Sequence, residues 1–263
     1  MRAPRRRQAD SLRETSPWLA PAVTCYRIVR GGWRVGVKEG RVLRRLVFDR
    51  FRIKRYVGTH RVRKLQVGTG PNPLPGWLNT DLFPDTYAEY RDDVIFLDAS
   101  QALPLDDTSF DYVFSEHQIE HIPEPDARAM VREFFRILRP GGRVRIATPD
   151  LAAIIGLYRN PLDDLRRHYV DWVMANFLPN VESGNRRCYV VNQMFTAHKH
   201  RFIYDEETLA AILADAGFRD IQRYEPGESG DPALRGVEAH GRAIGDERVN
   251  RFETLVLEAV RPA

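Results

Sequence analysis

Two histidines and a carboxylate lie close together in the segment FDYVFSEHQIEHI. His117 and His121 are four residues apart, and Glu120 lies between them. Imidazole is the side chain that exchanges protons most readily near neutral pH, and a positioned general base contributes about 10²–10⁴ in rate. We predict that His117 is a general base that activates a hydroxyl group. His121 is either a further catalytic group or a hydrogen-bonded structural histidine.

The same two histidines also have the i, i+4 spacing of metal ligands on one face of a helix. No third ligand of a recognisable motif accompanies them in the sequence. The sequence therefore predicts no zinc site at this position, and whether the protein binds a metal stays open.

A second polar cluster lies in the segment NQMFTAHKHRFIYD. His198 and His200 alternate, which would place both on one side of an extended segment. We predict that His200 shares the catalytic role and that Asn192, His198 and Arg201 contact an acceptor. The alternative is that these residues anchor the segment to the core.

A third cluster is acidic and lies in the segment EPGESGDPALRGVEAH. Glu228, Asp231 and Glu238 could hydrogen-bond an acceptor or hold a hard cation such as Mg²⁺. Their spacing matches no defined cation loop, so a solvated acidic loop is the competing interpretation. Residues 225–247 are too long for a plain connection between two strands, which indicates that they have a function.

A glycine-containing loop follows an apolar run in KLQVGTGPNPLPGWLNTDL. Ligands of open α/β sheets bind beyond the carboxyl ends of the strands, and the first predicted strand ends at Gly68. A pyrophosphate needs free N–H groups at a helix N-terminus, whereas Pro71, Pro73 and Pro75 remove donors. Asp81 also comes only 13 residues after Gly68, short of the roughly 20 of dinucleotide sites. The loop favours a nucleoside with a ribose diol and a positive charge, such as the sulfonium of S-adenosylmethionine.

The elements that must position these residues alternate between strands and helices. Apolar runs predict strands at 64–68, 77–82, 94–97, 110–115, 143–147, 218–224 and 252–260. Helical periodicity predicts helices at 125–138, 151–158 and 205–216. This alternation is typical of a doubly wound, mostly parallel sheet with helices on both faces.

Five motifs in this order resemble class I S-adenosylmethionine-dependent methyltransferases. They are Val67-Gly68-Thr69-Gly70, Asp81, Leu97-Asp98-Ala99, FDYVFSEHQIEHI and LRPGGRVRIATP, and they cover about residues 64–150. The resemblance implies a Rossmann-like α/β fold with a seven-stranded sheet and an antiparallel last strand. The forms GTGPNPLPGWLNTDL and HRFIYDEETLAAILADAGF are similar to a methyltransferase type 11-like subgroup associated with saccharide and cell-envelope O-methylation.

The resemblance also implies roles for cofactor-binding residues. Gly68 and Gly70 would line the methionine end of the cofactor, and Asp81 would accept both ribose hydroxyls. Asp98 would accept from the adenine amino group. The remaining cofactor-binding residues that it implies are Val67, Thr69, Leu82, Ala99, Ser115 and Glu116. The alternative for Asp98 is a turn cap, and for Asp81 a surface acid at a strand end; Thr69 departs from the more common Cys or Ser.

Charge divides the chain unevenly. Residues 1–64 hold 19 Lys or Arg and four acids, a net charge of +15, so the rest carries −11 of the total of +4. We predict a basic N-terminal extension over 1–60 and a methyltransferase domain over 61–263, with an insertion at about 155–200. A predicted helix at 41–57 has a basic face, which is either solvated or bound to an anionic membrane surface; no recognition motif favours nucleic acid.

The 263 residues include two cysteines, Cys25 and Cys188, which excludes a disulfide scaffold and favours the cytoplasm. We predict an S-adenosylmethionine-dependent O-methyltransferase that acts on a saccharide or glycoconjugate hydroxyl. One alternative acceptor is a lipid-soluble or secondary-metabolite hydroxyl. The alternative from another class is a non-catalytic protein that binds the cofactor.

Overall fold

The computed structural model describes residues 48–84, 93–159, 161–181 and 186–263. Residues 51–263 form one compact unit. The predicted basic arm, and the first part of the helix predicted at 41–57, lie outside the described residues. The described part of that helix, α1, covers residues 48–59 and so ends two residues later than predicted. None of the described helices is long and apolar enough to cross a bilayer.

The described residues form a seven-stranded sheet in the order β3-β2-β1-β4-β5-β7-β6. The strands are β1 (Lys64–Val67), β2 (Leu78–Asp81), β3 (Val94–Phe96), β4 (Phe110–Glu116), β5 (Leu138–Pro149), β6 (Arg219–Tyr224) and β7 (Thr254–Val260). The pairs among β1 to β5 are parallel, while β7 pairs antiparallel with both β5 and β6. The predicted doubly wound sheet with an antiparallel last strand is confirmed.

Helices cover the sheet and share its core. They are α2 (Glu124–Ile137), α3 (Leu151–Ile155), α4 (Asp164–Phe177), α5 (Arg186–Thr196), α6 (Glu206–Asp215), α7 (His240–Ile244) and α8 (Glu247–Glu253). The main core packs the sheet against α1, α2 and α6. In α2 the buried residues Met130, Val131, Phe134 and Ile137 follow the helical period, which is why this helix could be predicted from the sequence.

A second apolar core lies between α3, α4, α5 and α8. Tyr169 and Val173 of α4 pack there with Val190 and Met194 of α5 and with Phe252. The sequence predicted an insertion at about 155–200 without assigning helices to most of it. The described part of this insertion is mainly helical. Few apolar residues mark these helices, and α5 buries only two of its side chains.

Candidate active site

Three backbone N–H groups donate hydrogen bonds that hold a glycine turn, residues 68–70, against the end of β2. The N–H groups of Gly68 and Thr69 both donate to the Thr80 carbonyl at 3.0 Å. Gly70 N donates to Asp81 Oδ2 at 2.9 Å. The carboxylate of Asp81 therefore lies beside the turn, at the edge of the sheet where β1 and β2 end.

Both glycines of this turn have positive φ angles, 72° at Gly68 and 53° at Gly70. A Cβ atom on Gly68 would lie 2.4 Å from Cγ of Gln118, while one on Gly70 would meet no atom within 4 Å. Thr69 Oγ1 is buried without a hydrogen-bond partner in the described part of the chain. Open space beside Gly70 and an unsatisfied hydroxyl fit a ligand that lies against the turn.

Two buried polar side chains hold the proline-rich loop, and the sequence analysis did not identify them. The N–H of Leu74 donates to both Gln66 Oε1 and Asn79 Oδ1, each at 3.0 Å. Gln66 Nε2 donates to the Asn72 carbonyl at 3.1 Å. A polar residue within a predicted buried strand is the signal that could have found Gln66 and Asn79.

The other predicted cofactor residues lie at neighbouring strand ends. Leu97 N donates to the Asp81 carbonyl at 3.0 Å, which brings the Asp98–Ala99 turn next to Asp81. Asp98 Oδ1 accepts from the N–H and the hydroxyl of Ser100, at 3.0 and 2.6 Å, so Asp98 does cap a turn.

Val67 ends β1 and is paired in register with Ser115, the residue before the last one of β4. Both are buried, as is Ala99, whereas Leu82 is exposed.

Glu116 has a partner that the sequence analysis did not foresee. Its carboxylate accepts from the N–H groups of Ala239 and His240 at 2.9 to 3.0 Å. This side chain, predicted to bind the cofactor, thus holds the start of α7.

A cavity of about 740 Å³ lies beyond the carboxyl ends of β4 and β5. Phe83, whose N–H donates to Asp81 Oδ1 at 2.7 Å, lines it, so the cavity adjoins the glycine turn. The residues from the sheet side that line it are His117, Glu120, His121 and Pro149. Those from α4 and α5 are Tyr169, Trp172, Val173, Phe177, Val190, Gln193 and Met194. Nine of the 18 lining residues are aromatic or aliphatic, and the other nine are polar and include five histidines.

His117 is held in a left-handed backbone conformation, with φ of 46°, a strain that is common at functional sites. Its Nδ1 lies 3.3 Å from Glu120 Oε1, and its Nε2 lies 3.3 Å from Thr254 Oγ1. Its ring stacks on His240 with centroids 3.8 Å apart. Burial lowers the pKa of His117, but the neighbouring Glu120 carboxylate outweighs burial, and the pKa is raised.

Glu120 is fully buried at the base of the cavity. Its Oε2 accepts from Thr148 Oγ1 at 3.1 Å, while Oε1 has no hydrogen bond from a described residue. Burial raises the pKa of Glu120, but the His117 imidazole outweighs this effect, and the pKa is lowered. The sequence alone gives Glu120 no role, because the contacts that bury it come from Thr148 and from a segment that is distant along the chain.

The segment that contains Arg201 and Phe202 brings the second histidine cluster next to the first. The Glu120 carbonyl accepts from the N–H groups of Arg201 and Phe202, at 2.7 and 3.2 Å. As a result, the rings of His121 and His200 are 5.0 Å apart. Burial and the nearby His200 both lower the pKa of His121, although Glu120 opposes them.

His198 and His200 line the cavity, but two predicted acceptor residues do not. Asn192 is exposed, and its amide bonds the Cys188 carbonyl of its own helix at 2.9 Å. Arg201 is also exposed. Gln193, the next residue of the same helix, lines the cavity instead. The segment of His198 and His200 was predicted to be extended, but His198 and Lys199 have positive φ angles and form a turn after this helix.

The acidic cluster does not converge on an acceptor or a cation. Glu238 is buried, forms an ion pair with the buried guanidinium of Arg145 and does not line the cavity. Asp231 accepts from the Tyr112 hydroxyl at 3.0 Å. Glu228 is exposed and is not part of the cavity wall. Each carboxylate thus has its own environment, and the sequence suggestion of a Mg²⁺ site here is not supported.

Residues 80–146 match a family described as a methyltransferase domain. The match covers 67 of the 263 residues. The strand order and the antiparallel β7 agree with the Rossmann-like fold that the resemblance to S-adenosylmethionine-dependent methyltransferases implied, and S-adenosylmethionine is the cofactor of that class of enzymes. The open space at Gly70, the unsatisfied Thr69 hydroxyl and the adjacent Asp81 carboxylate fit that cofactor.

The chain is similar to several known methyltransferases. It is 27% identical to the ubiquinone/menaquinone biosynthesis C-methyltransferase UbiE of Cronobacter sakazakii over 131 residues, 48% of this chain and 45% of the relative. It is 32% identical to a demethylmenaquinone methyltransferase of Clavibacter sepedonicus over 159 residues, 58% of this chain and 57% of the relative. The chain thus spans about half the length of these curated relatives.

A solved structure of phosphoethanolamine N-methyltransferase 2 from Haemonchus contortus, with phosphomonomethylethanolamine and S-adenosylhomocysteine, is 18% identical. The match covers 81% of this chain and 52% of that chain, with a TM-score of 0.41.

Proposed function

We propose that this protein transfers the methyl group of S-adenosylmethionine to a hydroxyl oxygen of an acceptor with an apolar body. The observation that carries the proposal is the cavity of about 740 Å³ beside the glycine turn. It combines the half-buried His117 and the buried Glu120 with an aromatic and aliphatic wall from α4 and α5. Pockets of this kind bind ligands through apolar contact and orient them with few polar groups.

Cofactor binding is assigned to the glycine turn and to the strand ends beside it. Gly68 and Gly70 would lie against the methionine end, and Asp81 would accept from the ribose hydroxyls. Asp98 would accept from the adenine amino group and Ala99 would donate to the ring. The bonds that place the Asp98 turn next to Asp81 support this assignment.

S-adenosylmethionine supplies an electrophilic methyl group on a sulfonium. The chain must therefore orient the acceptor and remove its proton as the oxygen attacks. The C–S bond breaks with its electron pair going to sulfur, the O–C bond forms, and the hydroxyl proton passes to His117. Removal of this proton matters because a neutral hydroxyl is a weak nucleophile.

The contacts of His117 indicate which nitrogen accepts the proton. Glu120 Oε1, which can only accept, lies 3.3 Å from Nδ1, so the proton of the neutral ring is on Nδ1 and the carboxylate stabilises the imidazolium that forms. Nε2, 3.3 Å from Thr254 Oγ1, then has the lone pair and is the nitrogen that accepts the hydroxyl proton. His200 is the second candidate for the base.

A saccharide or glycoconjugate hydroxyl is the second candidate acceptor. It is favoured by the rings of Trp172 and Phe177, together with the polar Gln193 and Lys199, in the same wall. Aromatic faces provide a large, rigid contact surface for a ring-shaped ligand, and the polar side chains would bond its hydroxyls. The apolar acceptor is preferred because aliphatic side chains such as Val173, Val190 and Met194 also form the wall.

The test is to incubate the full-length protein with methyl-labelled S-adenosylmethionine and two acceptor panels. One panel contains prenylated quinols and phenols, and the other contains saccharides; mass spectrometry then locates the label. Label on an oxygen of the first panel supports the proposal, and label on a saccharide selects the second candidate. Label on a ring carbon, the reaction named for the UbiE relatives, would contradict O-methylation. Cofactor binding without transfer to either panel would favour a non-catalytic protein.

A further inference from the structure

We propose that Glu120, His121 and His200 form a binding site for a divalent transition-metal cation in the wall of the cavity. One ligand atom of each residue lies within 4.8 Å of the other two. Glu120 Oε1 and His121 Nε2 are 3.9 Å apart. Ligand atoms around a tetrahedral Zn²⁺ with bonds of about 2.1 Å are about 3.4 Å apart, and rotation of the exposed His121 ring would shorten these distances.

The buried carboxylate is the first argument for a cation. Glu120 is fully buried, and its Oε1 faces two imidazole nitrogens, His117 Nδ1 at 3.3 Å and His121 Nε2 at 3.9 Å, without a hydrogen bond from a described residue. A buried charged oxygen that lacks a bond is costly. Glu120 Oε2 accepts a hydrogen bond from Thr148 Oγ1 at 3.1 Å, and this bond orients Oε1. Residues that bind metals are typically held in the same way, by hydrogen bonds to the atoms that do not contact the metal.

The second argument is the orientation of His200. Its Nδ1 lies 2.6 Å from the Met194 carbonyl, so this nitrogen must carry the proton and donate it. Nε2 is then the nitrogen with a lone pair. Metal-binding histidines typically donate their other N–H to a carbonyl or carboxylate, which fixes the tautomer in this way.

The third argument is that the fold itself brings the ligands together. Glu120 and His121 belong to a 3₁₀ turn, Ile119–His121, directly after β4. The Glu120 carbonyl accepts from the N–H groups of Arg201 and Phe202, which join the turn to the chain beside His200. The sequence pattern lacked a third ligand because it comes from a segment 79 positions beyond His121.

The ligand set indicates the class of cation. Two imidazoles and one carboxylate suit Zn²⁺, Fe²⁺ or Co²⁺, whereas Mg²⁺ prefers oxygen ligands alone. Three protein ligands leave coordination positions open toward the cavity. If the proposed function holds, the open position would bind the acceptor oxygen and lower the pKa of its hydroxyl; the metal site itself does not depend on that function.

Metal binding can be measured without cofactor or acceptor. Full-length protein is treated with a chelator, dialysed and titrated with Zn²⁺ against a chromophoric competitor, and with Co²⁺ by visible absorption. We expect one equivalent of each ion to bind, and His200→Ala, His121→Ala and Glu120→Gln to weaken binding at least about tenfold. His60→Ala, outside the cavity, is the matched control and should bind as the wild type does.

Equal Zn²⁺ affinity in the wild type and the His200→Ala variant would overturn the proposal, as would binding of Mg²⁺ but not Zn²⁺ or Co²⁺. Because Glu120 is buried, thermal melting must show that its variant folds; His200→Ala, at a half-buried position, decides the question if it does not. If the wild type binds Zn²⁺ but transfers no methyl group, the proposed function is wrong and the metal site stands.

Discussion

At the scale of single residues, His117 is the side chain whose removal tests the chemistry. We expect His117→Asn to lower turnover by about 10²–10⁴-fold, because an amide cannot accept the hydroxyl proton. Its affinity for S-adenosylmethionine should stay unchanged, as measured by calorimetry, because His117 lines the acceptor cavity. His60→Asn serves as the control. Wild-type turnover in the His117 variant would remove this residue from the role of base.

Asp81 tests the ribose assignment. Its two oxygens accept from Gly70 and Phe83, so the carboxylate both shapes the turn and faces the proposed ligand. We expect Asp81→Ala to weaken cofactor binding by about 1–3 kcal/mol, as for the loss of a charged hydrogen-bond acceptor. Asp106→Ala removes an exposed acid before β4 and should leave the affinity unaltered. Equal affinity in the two variants would place the ribose elsewhere.

The glycine turn allows a matched comparison of two identical substitutions. Both Gly68→Ala and Gly70→Ala place a side chain at a positive φ, which is strained for any residue but glycine. Only Gly68→Ala also drives a methyl group to 2.4 Å from Gln118 Cγ. We therefore expect a larger loss of thermal stability at Gly68. A larger loss at Gly70 would contradict this packing.

At the scale of secondary-structure elements, a buried ion group joins residues 225–247 to the sheet. Arg145 of β5 is fully buried between Glu238 and Glu258 of β7, with Nη1 2.5 Å from Glu258 Oε1. Arg145→Met would leave two buried carboxylates without their cation. We expect it to lower the free energy of unfolding by about 3–5 kcal/mol, measured by denaturant titration.

The control for this prediction lies two residues earlier on the same strand. Arg143 is partly exposed and pairs with Asp231 at 3.3 Å, so Arg143→Met should cost less than about 1 kcal/mol. Adding Glu238→Gln and Glu258→Gln to Arg145→Met should restore part of the lost stability, since the unpaired charges are then removed. If Arg145→Met costs no more than Arg143→Met, the buried group does not hold this segment.

The elements also show which parts of the structure a sequence can predict. The strands could be predicted from short apolar runs such as β4, and α2 could be predicted because its apolar residues recur with the helical period. The helices α4 and α5 could not, since they bury side chains against each other and against Phe252 rather than against the sheet. The positions of Glu120 and Glu238 could not be predicted for a similar reason. Their partners Thr148 and Arg145 belong to β5, and only the three-dimensional structure shows that they are in contact.

At the scale of the whole molecule, the uneven charge suggests an anionic partner for the N-terminal part. Residues 1–64 carry a net charge of +15 and the rest carries −11, and each basic residue near an anionic membrane contributes about 1 kcal/mol. An acceptor with an apolar body would be found at such a surface. We therefore expect the full-length protein to float with vesicles that contain phosphatidylglycerol and not with phosphatidylcholine alone.

Replacing Arg2, Arg5, Arg6, Arg7 and Arg13 by Gln removes five charges without shortening the chain, and should abolish flotation. Salt at about 1 M, where the Debye length falls to about 3 Å, should do the same to the wild type. Flotation that survives both treatments would mean that apolar contact, not charge, binds the membrane. If the wild type stays in solution with both kinds of vesicle, the membrane role is wrong, and the basic arm must instead meet the acidic remainder of the chain or an anionic acceptor.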